Sequence, residues 1–257
     1  MAEEKKTRTV TKASDVKPAE KPAARKVSTA TGEKTVTQAK PVGDAKGKRI
    51  AAIILWVCAF ACEILGILML VGKVTITFAP TLTIIIGLLV LDLILVIIGS
   101  QLWKKANHID PASKKNKVKF FLWNNMGVIV CIICFLPYII LLLKDKNLDA
   151  KTRKIAIIAA VAALLIGGAC SVDYNPVSEE EKDAAIEAVN EKLGEDSTVF
   201  WTTFGKVYHF DMDCQHINQS DLVEGSVEEG IAAGKTRLCK TCAHKYGVED
   251  ADIALED

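Results

Sequence analysis

The sequence has little apolar material outside four long runs, and this shortage excludes a large soluble core. The runs cover residues 50–71, 78–103, 118–143 and 155–172, and polar connectors separate them. Each run has about the 17–25 residues that a helix needs to span a bilayer. The remaining soluble part is one small domain, of a size that usually needs a disulfide or a metal ion for stability. The sequence therefore predicts a multi-pass α-helical membrane protein with four transmembrane helices over residues 49–172.

The chain also lacks a large net charge, because two basic blocks and one acidic block nearly cancel. Residues 1–50 carry 13 Lys/Arg and 6 Asp/Glu, a net of +7, whereas residues 173–257 carry 7 and 20, a net of −13. The middle of the chain is basic, and the total is +1. Charge segregated in this way indicates separate basic and acidic regions rather than one balanced surface.

Residues 1–48 show no apolar periodicity and are rich in Lys, Ala, Thr, Pro and Glu. Such a segment buries too little apolar surface to offset the entropy of ordering, so a disordered basic tail is predicted. It is expected to be solvated and to keep the N-terminus in the cytoplasm, and contact with anionic lipid or nucleic acid is the alternative. No small-residue cleavage pattern follows the first apolar run, so this run is expected to be a retained helix rather than a signal peptide.

Lysine and arginine in the connectors predict the orientation of the helices. The segment before the first run and the connector over residues 104–117 are Lys-rich and are expected in the cytoplasm. The connector over residues 144–154 is Lys-rich as well, which conflicts with four complete crossings. Two arrangements stay open: four crossings with a cytoplasmic C-terminal domain, or one re-entrant helix with the domain outside. We favour the arrangement with a cytoplasmic C-terminal domain. The plasma membrane of a bacterium is the expected location of the protein.

Two carboxylates, Glu63 and Asp92, lie near the middles of the first two runs. An ionised carboxylate is costly inside a bilayer, so such residues usually face a cavity or a partner. No basic residue lies at a matching depth, so a neutral pair, protonated or hydrogen-bonded across the two helices, is favoured over an ion or proton path. The cysteines of the apolar runs lack charged neighbours and are expected to act as small apolar residues. They include Cys58, Cys62, Cys131 and Cys134.

Residues 173–257 predict a small acidic α+β domain. Ser178 and Glu181 form a capping box at the start of a short helix, and Gly194 ends it. Residues 198–203 and 206–210 predict a β-hairpin, and residues 226–233 predict a second short helix. The aromatic residues of the hairpin are expected to form its core: Phe200, Trp201, Phe204 and Phe210.

The cysteines of this domain indicate a structural metal site. Cys239 and Cys242 form a Cys-x-x-Cys pair, which offers two thiolates on one tight turn, and Cys214 is the natural third ligand. The candidates for the fourth ligand are His209, His216 and His244. Basic residues around the pair are expected to favour the thiolates: Lys235, Arg237, Lys240 and Lys245. A disulfide is the alternative, and an extracellular domain would favour it.

Two motifs of this domain resemble the Ada-type metal-binding domain over about residues 199–245. The motifs are Tyr208-His209 followed by Cys214, and the run 225–234 followed by Cys239-Lys240-Thr241-Cys242. The resemblance implies zinc held by His209, Cys214, Cys239 and Cys242, with His209 in place of the family's first cysteine and one extra residue before Cys214. In the DNA-repair member a zinc thiolate accepts a methyl group. A histidine cannot do so, and an acidic domain does not suit a DNA backbone.

Four protein ligands would close the tetrahedral shell and leave no open position for catalysis. No catalytic residue is therefore predicted, and the chain is expected to be non-enzymatic. We expect a membrane protein that presents a structural zinc module for partner binding, with the bilayer and a protein as partners and no nucleic acid. The alternatives are a membrane-tethered zinc or redox sensor and a transporter or channel accessory that uses Glu63 and Asp92.

Overall fold

The computed structural model describes residues 24–29, 32–77, 79–144, 148–217 and 221–248. Within these residues, four long helices form a bundle, and a small α+β domain lies at one end of it. The four helices are α1 (Ala45–Leu70), α2 (Thr81–Ile109), α3 (Lys117–Lys144) and α4 (Ala150–Ser171). All four are long and apolar enough to cross a membrane. The predicted fold class is confirmed in this respect.

The long helices extend beyond the apolar runs because polar residues continue or cap them. The side chain of Asp44 accepts hydrogen bonds from the backbone N–H groups of Lys46 and Gly47, so α1 begins at Ala45. The 29 residues of α2 correspond to about 43 Å, whereas the hydrocarbon layer is about 30 Å thick. α2 is therefore longer than such a layer is thick.

Contacts at one end of the bundle join the start of α1 to the ends of α2 and α4. Arg49 Nη1 donates to Asp110 Oδ2 at 2.6 Å, which links the start of α1 to the residue after α2. Lys104 Nζ donates to the carbonyl of Cys170 at 2.8 Å, which links α2 to the last turn of α4. The four helices therefore run alternately up and down, and the domain lies where α4 ends.

The domain after α4 contains three short helices and four short strands. They are α5 (Glu179–Leu193), β3 (Val199–Trp201), β4 (Val207–His209), β5 (Leu222–Gly225), α6 (Val227–Ala232), β6 (Arg237–Leu238) and α7 (Lys240–Tyr246). The capping box of Ser178 and Glu181 is present, and α5 ends before Gly194, which has φ of 93°. The predicted hairpin is confirmed, because β3 and β4 pair antiparallel.

Phe204 does not belong to the hairpin core, and the expectation for this residue is wrong. Its side chain is 97% exposed, whereas Phe200, Trp201 and Phe210 are buried. The physical reason is position: Phe204 lies in the turn between β3 and β4, where no neighbouring strand covers the side chain.

Two strands precede α1, so the prediction of a disordered tail over residues 1–48 is wrong for part of that segment. They are β1 (Ala24–Thr29) and β2 (Gly32–Gln38), and the sheet has the order β1-β2-β5-β3-β4-β6. β2 pairs in parallel with β5, with Val36 opposite Leu222. Residues 1–23 lie outside the described residues.

The two strands are stabilised by contacts with the C-terminal domain, which is distant from them in the sequence. Val36 is fully buried in the hydrophobic core of the domain. Arg25 on β1 forms an ion pair with Glu224 on β5 at 2.5 Å. The basic tail therefore meets the acidic domain of the same chain, and tertiary contacts compensate for its low apolar content.

Candidate metal centre

Four buried side chains of the domain converge on one point: His209, Cys214, Cys239 and Cys242. Their ligand atoms all lie within 4.8 Å of one another. Cys214 Sγ lies 3.9 Å from Cys239 Sγ, and Cys242 Sγ lies 3.9 Å from His209 Nδ1. A tetrahedral ion with sulfur ligands at about 2.3 Å would separate those sulfur atoms by about 3.8 Å. The cluster therefore has the size of a tetrahedral metal site and could hold a metal ion.

Strand pairing brings the ligands together from distant parts of the domain. β4 and β6 pair in parallel, and the backbone N–H of Cys239 donates to the carbonyl of Tyr208 at 2.9 Å. This bond places Cys239, which caps α7, beside His209 at the end of β4. Cys242 follows in the first turn of α7, and Cys214 lies in the turn after β4, where its N–H donates to Asp211.

The other two histidines of the domain lie outside this cluster. His216 and His244 are both exposed. His216 Nε2 instead lies 2.9 Å from the hydroxyl of Thr241, which stands between the two cysteines of the Cys-x-x-Cys pair. Of the three candidates for the fourth ligand, His209 is therefore the one that the fold brings to the three cysteines.

Burial shifts the pKa values of two of the ligands, His209 and Cys242. Burial, and to a smaller extent the nearby His216, lowers the pKa of His209 to about 4, so its imidazole is neutral at pH 7, as a metal ligand must be. Burial raises the pKa of the Cys242 thiol to about 12. The thiolate at this position therefore needs a nearby cation, which a bound divalent metal ion would supply.

Lys34 on β2 brings a buried positive charge to the loop that carries Cys214, and the sequence pattern did not reveal it. It is 4% exposed. Its Nζ donates to the carbonyl of Met212 at 2.5 Å and lies 3.6 Å from Asp213 Oδ1. The contacts with Met212 and Asp213 hold the loop that carries Cys214.

Two lysines expected to favour the thiolates have other roles. Lys235 Nζ donates to the carbonyls of Thr203 and Gly205, at 2.9 and 2.5 Å, and so holds the turn of the hairpin. Lys245 Nζ donates to Asp211 Oδ2 at 2.5 Å, and this bond holds the pKa of the carboxyl below its usual range. Both lysines stabilise the frame around the cluster rather than a ligand sulfur.

The two carboxylates of the apolar helices line one small cavity in the bundle. Glu63 and Asp92 share it with Tyr138, and its volume of about 10 Å³ leaves room for about one water molecule. Asp92 Oδ1 and the Tyr138 hydroxyl have no hydrogen-bond partner in the part of the chain that the structure describes. The structure thus brings the two carboxylates to the same cavity.

No disulfide joins the cysteines, all eight of which lie within the described residues. Comparison with protein-family models finds no match, and comparisons with curated proteins and with solved structures find none either. The likeness to the Ada-type domain therefore rests on the two motifs of the sequence alone.

Proposed function

We propose that the chain is an integral membrane protein whose C-terminal domain is held together by zinc and presents a binding surface to a partner protein. The observation that carries this proposal is the closed, buried cluster of one histidine and three cysteines. Because every member is buried, a bound ion would lie inside the core of the domain. Its free energy of binding would then contribute directly to the free energy of folding.

The donor set favours zinc over the other common metal ions. Calcium and magnesium prefer oxygen ligands, whereas thiolates and imidazole suit zinc. The distances of 3.9 Å between ligand atoms match the tetrahedral arrangement of structural zinc sites. The resemblance of the motifs to the Ada-type domain implies the same metal. A closed shell of four ligands has no open position for water, so the proposal includes no catalytic step.

The surface of the domain indicates the chemistry of its partner. Residues 173–257 carry a net charge of −13. Exposed carboxylates follow one another at intervals of four residues along α5, at Asp183, Glu187 and Glu191. We therefore expect a partner with a basic surface, whose association weakens as ionic strength rises.

We further propose four complete crossings, with the N-terminus and the C-terminal domain both in the cytoplasm. β2 precedes α1 in the chain and β5 follows α4, yet the two strands pair. Two segments can share a sheet only on the same side of a membrane, which requires an even number of crossings between them. The Lys-rich connector over residues 104–117 lies on that side and supports the cytoplasmic assignment.

The zinc proposal is tested on the full chain purified in detergent. We expect one zinc per chain by elemental analysis, lost together with the fold of the domain in Cys239→Ser. Cys58→Ser is the matched control, because Cys58 is exposed on α1 and far from the cluster in the chain. Wild-type protein without zinc, or with iron in its place, would refute the proposal.

A chelator distinguishes the structural site from the sensor alternative. A structural zinc is retained until the domain unfolds, whereas a sensor releases zinc at moderate chelator concentration while the domain stays folded. The transporter alternative rests on the cavity between Glu63 and Asp92. It predicts that Asp92→Asn abolishes a cation or proton flux in proteoliposomes without changing zinc content or thermal stability.

A further inference from the structure

A cleft separates the end of α2 from the domain, at the level where the bundle ends. Its volume is about 360 Å³, within the usual range for ligand sites. Three lysines line it: Lys104 and Lys105 on α2, and Lys206 after the turn of the hairpin. We propose that this cleft binds the phosphate-bearing headgroup of an anionic phospholipid. The proposal rests on the proposed insertion of the bundle in a membrane and is independent of the zinc site.

The depth of the cleft fits a headgroup. Lys104 lies roughly 35 Å along α2 from Thr81, which is past a hydrocarbon layer about 30 Å thick. On the other side, the cleft is lined by residues 172–175, which follow the last turn of α4. The cleft therefore opens where the polar layer of a bilayer begins.

The charges of the cleft favour an anion. Lys105 is exposed and has no hydrogen bond or ion pair with any described residue. Lys104 Nζ donates to the carbonyls of Cys170 and Val172, at 2.8 and 3.2 Å, and this fixes its charge at the end of α4. The carboxylate that lines the cleft is Asp173, and its Oδ2 already lies 2.9 Å from His108 Nε2. Asp173 also interacts electrostatically with Lys104, so the other two lysines of the cleft carry the charge that remains available to a ligand. Basic pockets beside transmembrane helices are typical sites for anionic headgroups.

An exposed aromatic side chain favours a lipid over a soluble phosphate. Phe204 is 97% exposed and lies two residues before Lys206. Its turn is held by Lys235, which donates to both neighbouring carbonyls, so the ring is presented by a rigid loop. Tyr174 lines the cleft itself and is largely exposed, and its hydroxyl donates to the carbonyl of Ala169 on α4. Aromatic residues are enriched at the interface between membrane and water.

The test measures lipid binding to the full chain in detergent by native mass spectrometry, with phosphatidylglycerol and phosphatidylcholine as probes. The test variant is the double substitution Lys105→Ala/Lys206→Ala in the cleft. The control variant is Lys115→Ala/Lys117→Ala, which removes the same charge from exposed positions at the same end of the bundle, outside the cleft. We expect the first double variant to bind phosphatidylglycerol about thirtyfold more weakly, which corresponds to about 2 kcal/mol. The control variant should stay within about threefold of wild type.

Phe204→Ser and a soluble competitor distinguish a lipid from a free phosphate. We expect Phe204→Ser to weaken phosphatidylglycerol binding about tenfold and to leave the melting temperature unchanged. Equal affinity for the two lipids, or equal losses in both double variants, would overturn the proposal. The lipid assignment would also be overturned if millimolar glycerol 3-phosphate displaced the lipid and Phe204→Ser had no effect on binding. That result would assign the cleft to a soluble phosphate. Protein that remains soluble and monomeric without detergent would refute membrane insertion itself.

Discussion

Replacing Val36 by alanine is expected to loosen the N-terminal strands from the metal-binding domain. Val36 is fully buried in the hydrophobic core of the domain and lies opposite Leu222 in the parallel pairing of β2 with β5. Only three residue pairs join these two strands, and one further bond, from the N–H of Ala39 to the carbonyl of Glu224 at 2.7 Å, extends the pairing. So short a ladder depends strongly on the packing of its buried pair, Val36 and Leu222.

The magnitude follows from the atoms removed. Valine to alanine deletes two carbon atoms, a loss of about 1.6 kcal/mol from the transfer of apolar groups. The cavity left in a packed core adds to this, for a total of about 2–3 kcal/mol. A loss of about 2 kcal/mol raises the equilibrium constant for local opening of β2 about thirtyfold.

The assay is amide hydrogen exchange of the full chain in detergent, read on peptides that cover residues 33–39. Exchange should be about thirtyfold faster in Val36→Ala, whereas peptides from α1 to α4 should exchange as in wild type. Val42→Ala is the matched control, because Val42 is 39% exposed and lies between β2 and α1. Equal exchange in the two variants would refute the docking of β2, and with it the main support for an even number of crossings.

Three further perturbations test the bundle, the metal site and the attachment of the domain. Gly99→Ala should destabilise the bundle by about 1–3 kcal/mol in SDS unfolding, because a Cβ at this position would lie 2.5 Å from Trp56 Nε1. Gly87→Ala is the control: a Cβ there would have no atom within 4 Å, so the substitution should be neutral or stabilising. Lys34→Met should speed zinc loss to a chelator about tenfold, because it removes the hydrogen bond and the ion pair that hold the loop of Cys214. An unchanged rate would contradict that role. Hydrogen bonds from the hydroxyl of Ser113 and then from a backbone N–H lower the pKa of Glu180 to about 2. The stabilisation by the Glu180 carboxylate is therefore complete above about pH 4.5 and is lost as the pH falls towards 2. Glu180→Gln should remove that part of the pH dependence of thermal melting, and a profile identical to wild type would exclude the carboxylate as its source.

Local patterns were sufficient for most of the architecture. Four apolar runs predicted four long helices, because the length and composition of a spanning helix are properties of a continuous segment. The capping box of Ser178 and Glu181 predicted the start of α5, since its two reciprocal hydrogen bonds involve residues three positions apart. The hairpin of β3 and β4 was readable for the same reason. Phe204 was misassigned because a local pattern does not show which side of a turn is covered.

The choice among the three histidines needed the tertiary structure. All three lie close to a cysteine in the sequence, and only the parallel pairing of β4 with β6 brings His209 to Cys239 while His216 faces Thr241. The resemblance to the Ada-type domain favoured His209 on motif spacing. Motif spacing does not give the distances between ligand atoms, which follow from strand pairing.

The sequence by itself determined the elements that depend on neighbours in the chain: the long apolar helices, the capped short helices and the Cys-x-x-Cys pair. The tertiary structure alone decided what depends on distant residues. It joined β2 to β5, placed Lys34 beside the loop of Cys214, and assembled three lysines around one cleft. The physical reason is that a polar strand or a lysine gains its stability from partners more than a hundred residues away, and no local composition records those partners.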